Sequence, residues 1–181
     1  MTDELFPDIF KAIETGTLED VKYFVEKQGV SVKAKNDNGS TPLHQAAWSN
    51  SIDVLKYLVS HGADTNARDD DGKTPLHFAV RKNSIEVLIY LVFQGADVTV
   101  KDYKGWTPLH DAVYRSPPDF EILDYLIWFG ADINAKNSDD KTPLHVAAFW
   151  NRQETLNYLM LARMNVRTRD HSDRTPLLWK E

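Results

Sequence analysis

The hydrophobic pattern of the chain consists of two short apolar runs at helical spacing, repeated along the sequence. In one segment the apolar positions are Leu43, Ala46 and Ala47, followed by Ile52, Leu55, Leu58 and Val59. The second run recurs further along the chain as Ile85, Leu88, Leu91 and Val92. Apolar side chains three and four positions apart lie on one face of an α-helix. The pattern therefore predicts a pair of amphipathic helices in each repeated segment.

The tetrapeptide TPLH marks where the first helix of each pair is expected to begin. It starts at Thr41, Thr74, Thr107 and Thr142, and the related TPLL starts at Thr175. Threonine is a good N-cap, and proline suits the first helical position because its missing N–H needs no partner there. The steps between copies are 33, 33, 35 and 33 residues, which indicates a repeat protein.

Residues that end or begin helices recur in the same order within each unit. The polar turn before TPLH has glycine at Gly39, Gly72 and Gly105, where a positive φ costs glycine little. The fourth unit has Asp140 there, so we expect this unit to be the least regular. Asparagine ends the first helix at Asn50, Asn83 and Asn151, because it tolerates the left-handed conformation.

The second helix of each unit has its own start and stop signals. Ser51 and Ser84 precede it and are expected to cap it. Gly62, Gly95 and Gly130 follow it and are expected to end it. Unit 102–136 carries two extra residues, and Pro117 and Pro118 are expected to end its first helix and stiffen the connection.

The tripeptide GAD follows the second helix at residues 62–64, 95–97 and 130–132. Together, the polar turn, TPLH, the helix pair and GAD closely resemble the ankyrin repeat over nearly the whole chain. The resemblance implies an all-α repeat solenoid, a stack of helix-turn-helix units with β-turn or hairpin connections, in a single domain, 1–181. One unit cannot bury its apolar face alone, so neighbouring units stack. The predicted units are an N-terminal capping repeat, 1–35, full repeats 36–68, 69–101, 102–136 and 137–169, and a partial repeat, 170–181.

The C-terminal end breaks the pattern because no second helix follows TPLLWKE. Leu177, Leu178 and Trp179 would cover only part of the last layer. The favoured interpretation is a truncated chain or a minimal cap. The alternative is that another molecule completes the stack, including self-association of an otherwise monomeric protein through this end.

Charge and composition narrow the classes of partner and compartment. The net charge of −6 argues against nucleic-acid binding, which needs a basic footprint. The apolar runs are too short to cross a bilayer, so no membrane partner is predicted. The chain has no cysteine, which favours a reducing, cytoplasmic location; the nucleus and export as an effector remain alternatives.

The recurring histidines invite a metal or catalytic hypothesis, which spacing opposes. His44, His77, His110 and His145 occupy equivalent positions on helices about 10 Å apart, too far for one metal ion. We expect each to hydrogen-bond beside its threonine. The run Asp69–Asp71 reads as a turn sequence, because a calcium loop would need further oxygen ligands and a distal Glu. No cofactor, metal site or enzyme activity is predicted.

Function is expected in outward-facing residues that do not recur. The resemblance implies that hairpin tips and inner helices form a concave surface that binds proteins, and aromatic and arginine side chains dominate binding hot spots. The predicted partner-binding residues are Trp48, Arg81, Tyr103, Trp106, Tyr114, Arg115, Phe149 and Trp150. The sequence thus predicts a non-catalytic protein–protein interaction module. The alternative is a truncated structural or regulatory segment of a larger ankyrin-repeat protein, without binding activity of its own.

Overall fold

The computed structural model describes residues 8–161 and 171–172, and its regular elements in those ranges are helices. The chain divides into two compact units, Met1–Asp97 and Val98–Glu181. The predicted all-α repeat architecture is confirmed. The predicted single domain over 1–181 stays a prediction. Leu177, Leu178 and Trp179 of the partial C-terminal repeat lie outside the described residues.

From residue 8 onward, the first unit has six α-helices and one π-helical turn. They are α1 (Ile9–Thr15), α2 (Leu18–Lys22), the π-helical turn Tyr23–Lys27, α3 (Pro42–Trp48), α4 (Ile52–Ser60), α5 (Pro75–Lys82) and α6 (Ile85–Phe93). The inner helices α1, α3 and α5 pack in sequence, and α4 and α6 lie on α3 and α5. Within the predicted capping repeat, Ala12 and Val21 are fully buried, as are Ala46 and Leu55 at the equivalent positions of the next unit.

In the part of the second unit that the structure describes, four helices show the same alternation of inner and outer elements. They are α7 (Pro108–Tyr114), α8 (Phe120–Trp128), α9 (Pro143–Phe149) and α10 (Gln153–Leu161). The inner helices α7 and α9 pack against each other, with α8 on α7 and α10 on α9. Leu109, Leu126, Leu144 and Leu159 have no exposed surface, so leucines at the predicted periodic positions form the core of this unit.

The inner helices α3, α5, α7 and α9 begin as predicted, at a threonine followed by proline. Thr41, Thr74, Thr107 and Thr142 are the N-caps, and each forms a reciprocal capping pair with the histidine three residues on. Asn50, Asn83 and Asn151 have positive φ at the ends of their inner helices, as predicted. Asp140 also has positive φ, 58°, so it replaces glycine without changing the turn. The described part of the fourth repeat is accordingly regular.

The outer helices begin differently from the prediction. Ser51 and Ser84 occupy the N-cap positions, but neither side chain caps its helix. The Ser84 hydroxyl is buried without a hydrogen-bond partner. By contrast, the Asp119 carboxylate accepts hydrogen bonds from the backbone N–H of Glu121 and Ile122 at 3.0 and 3.2 Å. The expected serine caps were wrong because their side chains make no such bond.

The outer helix of the fourth repeat contains one polar side chain in an apolar position. Thr155 is the third residue of α10, where α4, α6 and α8 have Val54, Val87 and Ile122. It is 1% exposed, and its hydroxyl has no hydrogen-bond partner. A buried hydroxyl without a partner has lost its bonds to water and gained none in return.

Replacing Thr155 by valine is therefore expected to raise the free energy of unfolding by about 1 kcal/mol. Valine keeps the branched shape and removes only the unsatisfied group. Urea unfolding, followed by circular dichroism, measures the change. Thr155→Ala is the control, because it removes the hydroxyl but also leaves a cavity, so it should give no such gain. A lower stability of Thr155→Val would contradict the prediction.

Candidate functional site

The hairpin tips that carry several predicted binding residues are built by side chains accepting backbone hydrogen bonds. The Asp69 carboxylate accepts from the backbone N–H of Asp71 at 3.0 Å and of Lys73 at 2.8 Å. Gly72 closes this turn with a φ of 78°. The first aspartate of the run is therefore a structural element of the turn, as predicted, and Asp70 and Asp71 are left at its exposed tip.

Neighbouring tips within each unit are joined through their backbones. In the first unit, the N–H of Asp70 donates to the carbonyl of Asn38 at 3.1 Å. In the second unit, the N–H of Ser138 donates to the carbonyl of Lys104 at 3.0 Å, and that of His171 donates to Asp139 at 3.1 Å. Within each unit, adjacent tips therefore have a fixed position relative to one another, so their side chains form a preorganised surface.

Two of the recurring histidines, His44 and His110, link an inner helix to the hairpin of the next repeat. His110 Nδ1 accepts from the backbone N–H of Thr107 at 3.2 Å, and its Nε2–H donates to the carbonyl of Lys141 at 3.1 Å. His44 makes the same pair of bonds to Thr41 and Lys73. Both ring nitrogens of these two histidines are used, so neither offers a lone pair to a metal ion. Burial lowers the pKa of His110 from 6.5 to about 4.

In the second unit, four predicted binding residues form one continuous set of aromatic contacts, here called the aromatic chain: Trp106, Tyr114, Trp150 and Phe149. The Trp106 and Tyr114 ring centroids are 6.1 Å apart, and those of Tyr114 and Trp150 are 5.0 Å apart. The Trp150 and Phe149 centroids are 5.2 Å apart. All three contacts are edge-to-face, the arrangement that aromatic quadrupoles favour.

The aromatic chain is partly open to solvent and is flanked by cations. Tyr114, Phe149 and Trp150 are 38%, 46% and 44% exposed. The Arg152 guanidinium lies 5.9 Å from the Tyr114 ring centroid, and its Nε–H donates to the Tyr114 carbonyl at 3.1 Å. The Lys141 ammonium lies 5.2 Å from the Phe149 centroid. These rings are held in place by their neighbours, so a partner that covers their apolar surface would cause little further loss of conformational entropy.

The remaining predicted residues of the second unit differ in exposure. Tyr103 is 67% exposed on the tip before α7. Arg115, which follows α7 directly, is half-buried, and so is Trp106. Both are less exposed than predicted. Trp106 packs beside His110 and Tyr114, and Arg115 lies in the extended connection after α7.

In the first unit, Trp48 and Arg81 are exposed at the ends of α3 and α5. The Trp48 ring packs edge-to-face against Phe78, with centroids 5.9 Å apart. The Lys82 ammonium lies 3.9 Å from the Trp48 centroid, close enough for a cation–π interaction. The sequence reasoning missed Phe78 as part of this surface, because α5 has it where the other inner helices have Gln45, Asp111 and Val146.

Sequence reasoning also missed Arg152, which contacts Tyr114 of the preceding repeat. It follows the left-handed Asn151, and no repeated sequence motif places an arginine near the aromatic residues.

The structure describes no helix that is both long and apolar enough to cross a membrane. Among the described residues, no three His, Cys, Asp or Glu side chains are grouped as metal ligands.

Comparisons with known proteins agree with this repeat architecture. A family model described as ankyrin repeats (3 copies) matches residues 9–102, 68–137 and 100–170. Repeats of this family generally act as protein–protein interaction modules, and domains built from them are typically non-catalytic.

Three curated relatives match short segments. The chain is 42% identical over 52 residues to "Probable protein S-acyltransferase 23" of Arabidopsis thaliana, which is 29% of this chain and 10% of that protein. It is 42% identical over 53 residues to "Alpha-latrocrustotoxin-Lt1a" of Latrodectus tredecimguttatus, covering 29% and 4%. It is 38% identical over 52 residues to "26S proteasome non-ATPase regulatory subunit 10" of Dictyostelium discoideum, covering 29% and 22%. The matched segment is thus less than a quarter of each relative's length.

Proposed function

Because the chain belongs to the ankyrin-repeat family, we propose that it is a non-catalytic protein–protein interaction module that binds its partner through hairpin tips and inner helices. These elements line the concave face that the family resemblance implies. The proposed contact residues are Trp48, Arg81, Tyr103, Trp106, Tyr114, Arg115, Phe149 and Trp150. The partner is another protein.

The observation that carries the proposal is the exposed aromatic chain of the second unit. Large apolar rings are rarely grouped on a surface without a binding role. Rings fixed by edge-to-face contacts lose little freedom when a partner covers them, which favours tight association. Arg152 and Lys141 place positive charge beside the rings, so a partner that buries them needs acceptor groups at its rim.

Several further properties are part of the same proposal. The absence of cysteine supports a cytoplasmic location, and the net charge of −6 opposes binding to nucleic acid. We propose a monomer without cofactors. The alternative, a structural or regulatory segment of a larger protein without binding activity of its own, predicts that no partner depends on the aromatic chain.

A triple substitution of the aromatic chain tests the proposal. Trp106→Ala, Tyr114→Ala and Trp150→Ala together should weaken partner binding at least about thirtyfold, because the loss of a single hot-spot side chain worth about 2 kcal/mol already has that effect. The measurement is an affinity pull-down from source-cell lysate, with retained proteins identified by mass spectrometry. Purified partner is then titrated by calorimetry against the wild type and the variant.

The matched control removes exposed aromatic side chains elsewhere. Phe93→Ala plus Trp128→Ala deletes rings that are 72% and 75% exposed at the ends of outer helices α6 and α8. This variant should retain the partner, and all three proteins should have equal helicity. A partner retained equally by the wild type and the triple variant would refute binding through the aromatic chain.

A further inference from the structure

A groove in the first unit combines aromatic rings with unpaired carboxylates. It has a volume of about 370 Å³ and lies between the tips and inner helices of the repeats 36–68 and 69–101. Trp48 and Phe78 supply aromatic walls, and Asp37 and Asp70 lie on the tips that line it. The groove therefore offers both ring faces and negative charge to one bound side chain.

The carboxylates of the groove differ in whether they already have hydrogen-bond or ion-pair partners within the protein. Its lining has four aspartates and two cations, Lys73 and Arg81, which leaves a net charge of −4 + 2 = −2. Asp69 accepts the hydrogen bonds of the turn, and Asp71 pairs with Lys73 at 3.0 Å. Within residues 8–161 and 171–172, the side chains of Asp37 and Asp70 have no hydrogen-bond or ion-pair partner. These two carboxylates are available to a cation.

The position of Asp70 is fixed by close packing of two tips. Its N–H donates to the carbonyl of Asn38, and a Cβ placed on Gly39 would collide with Asp70 Oδ1. The glycine thus makes room for the carboxylate beside the first tip. A carboxylate held by its backbone needs little reordering when it binds a cation, which favours recognition.

The aromatic wall of the groove already attracts a cation within the protein. The Lys82 ammonium lies 3.9 Å from the Trp48 ring centroid, and the ring itself is 40% exposed. Phe78 packs edge-to-face against Trp48 and sets the orientation of the indole. An external cation that enters the groove meets the same ring system together with two unused carboxylates.

We propose that this groove binds an arginine side chain on a segment of the partner protein. The inference rests on the proposed interaction function and names the chemistry that the first unit recognises. A guanidinium is planar, stacks on aromatic faces and pairs with carboxylates through two parallel hydrogen bonds. A lysine ammonium has the charge but neither the plane nor the fork of donors, so the combination of rings and carboxylates favours arginine.

The test uses the full chain labelled with ¹⁵N and N-acetyl-arginine amide as the probe. We expect saturable shifts of the Trp48 indole N–H and of the backbone amides of Asp37, Asn38 and Asp70, with a dissociation constant on the order of 1 mM for so small a ligand. N-acetyl-citrulline amide has nearly the same shape without the charge. It should bind at least about tenfold more weakly.

Charge-matched variants show whether the response belongs to the groove. Asp37→Asn plus Asp70→Asn should abolish the arginine shifts. Asp53→Asn plus Glu86→Gln removes the same charge from the exposed outer helices α4 and α6 and should leave the shifts unchanged. Unaltered amide spectra outside the substituted sites show that both variants are folded.

Three outcomes would overturn the inference: equal binding of citrulline, equal binding of N-acetyl-lysine amide, or full retention of the shifts in the Asp37→Asn plus Asp70→Asn variant. The triple alanine variant of the aromatic chain separates this inference from the proposed function. It should bind the arginine probe normally, since its substitutions lie in the second unit. Loss of partner binding and loss of probe binding can therefore be observed independently.

Discussion

Replacing Gly105 by alanine is expected to lower the free energy of unfolding by about 2–5 kcal/mol. Gly105 has a φ of 74°, where a side chain adds about 1–2 kcal/mol of backbone strain. A Cβ at this position would also lie 2.6 Å from the backbone nitrogen of Ser138 and 2.9 Å from two backbone atoms of Asn137. Backbone atoms cannot move aside as a flexible side chain can, so overpacking adds about 1–3 kcal/mol.

Gly130→Ala is the matched control for this substitution. Gly130 has a φ of 97°, but no atom within 4 Å would meet an added Cβ. We expect about 1–2 kcal/mol of destabilisation from strain alone. Urea denaturation measures both variants against the wild type. Equal losses for the two glycines would show that the tip of the third repeat can move away from the tip of the fourth, contrary to the prediction.

The consequence of the Gly105 substitution should extend to binding. The close approach of the two tips accompanies the bond from Ser138 N–H to the Lys104 carbonyl, which fixes adjacent tips within the second unit. Tyr103 and Trp106 flank Gly105 on the same turn. A displaced turn would move these two rings relative to α9, so the proposed binding surface depends on a glycine that need not itself touch a partner.

Lowering the pH from 6.5 to about 4 is expected to reduce the free energy of unfolding by about 3 kcal/mol through His110 alone. Burial is the main cause of its lowered pKa, from 6.5 to about 4. Each unit of difference between folded and unfolded pKa is worth about 1.4 kcal/mol. The pKa of His110 is lower in the folded state than in the unfolded state. Its contribution to the free energy of unfolding is therefore fully present above pH 6.5 and is lost as the pH falls through the folded pKa of about 4.

The hydrogen bonds of His110 explain why protonation is unfavourable. Its Nδ1 accepts the Thr107 N–H, so a proton on Nδ1 would break the reciprocal cap at the start of α7. Burial also lowers the pKa of His44, which makes the equivalent bonds in the first unit, so its contribution has the same sign. Acid should therefore loosen the junctions between inner helices and the following hairpins.

Urea unfolding at pH 7 and at pH 4.5 measures this dependence. His110→Gln removes the titrating ring and should make the difference between the two pH values smaller, although the variant is less stable at pH 7. His61→Gln, at an exposed position on the outer surface of the first unit, is the control for removing a histidine. A wild-type protein equally stable at both pH values would contradict the assignment of a neutral, buried His110.

For the predicted binding residues, the local sequence predicted positions on helices but not contacts between repeats. The residues before each helix and at its end were enough to predict that Tyr114, Phe149 and Trp150 lie at the exposed ends of inner helices. The same local signals could not predict that Tyr114 contacts Trp150, or that Arg152 contacts Tyr114, because those contacts join residues about one repeat apart. The half-burial of Trp106 likewise depends on its neighbours His110 and Tyr114.

The sequence by itself determined the period, the helix pairs and their boundaries. Threonine–proline starts, left-handed asparagine ends and glycine stops act within about one helical turn, so no knowledge of the neighbouring repeat is needed. The tertiary structure alone decided which side chains meet between layers: Trp48 with Phe78 and Lys82, and Tyr114 with Trp150 and Arg152. Those contacts depend on the distance and rotation between stacked helices, which packing of the buried faces sets.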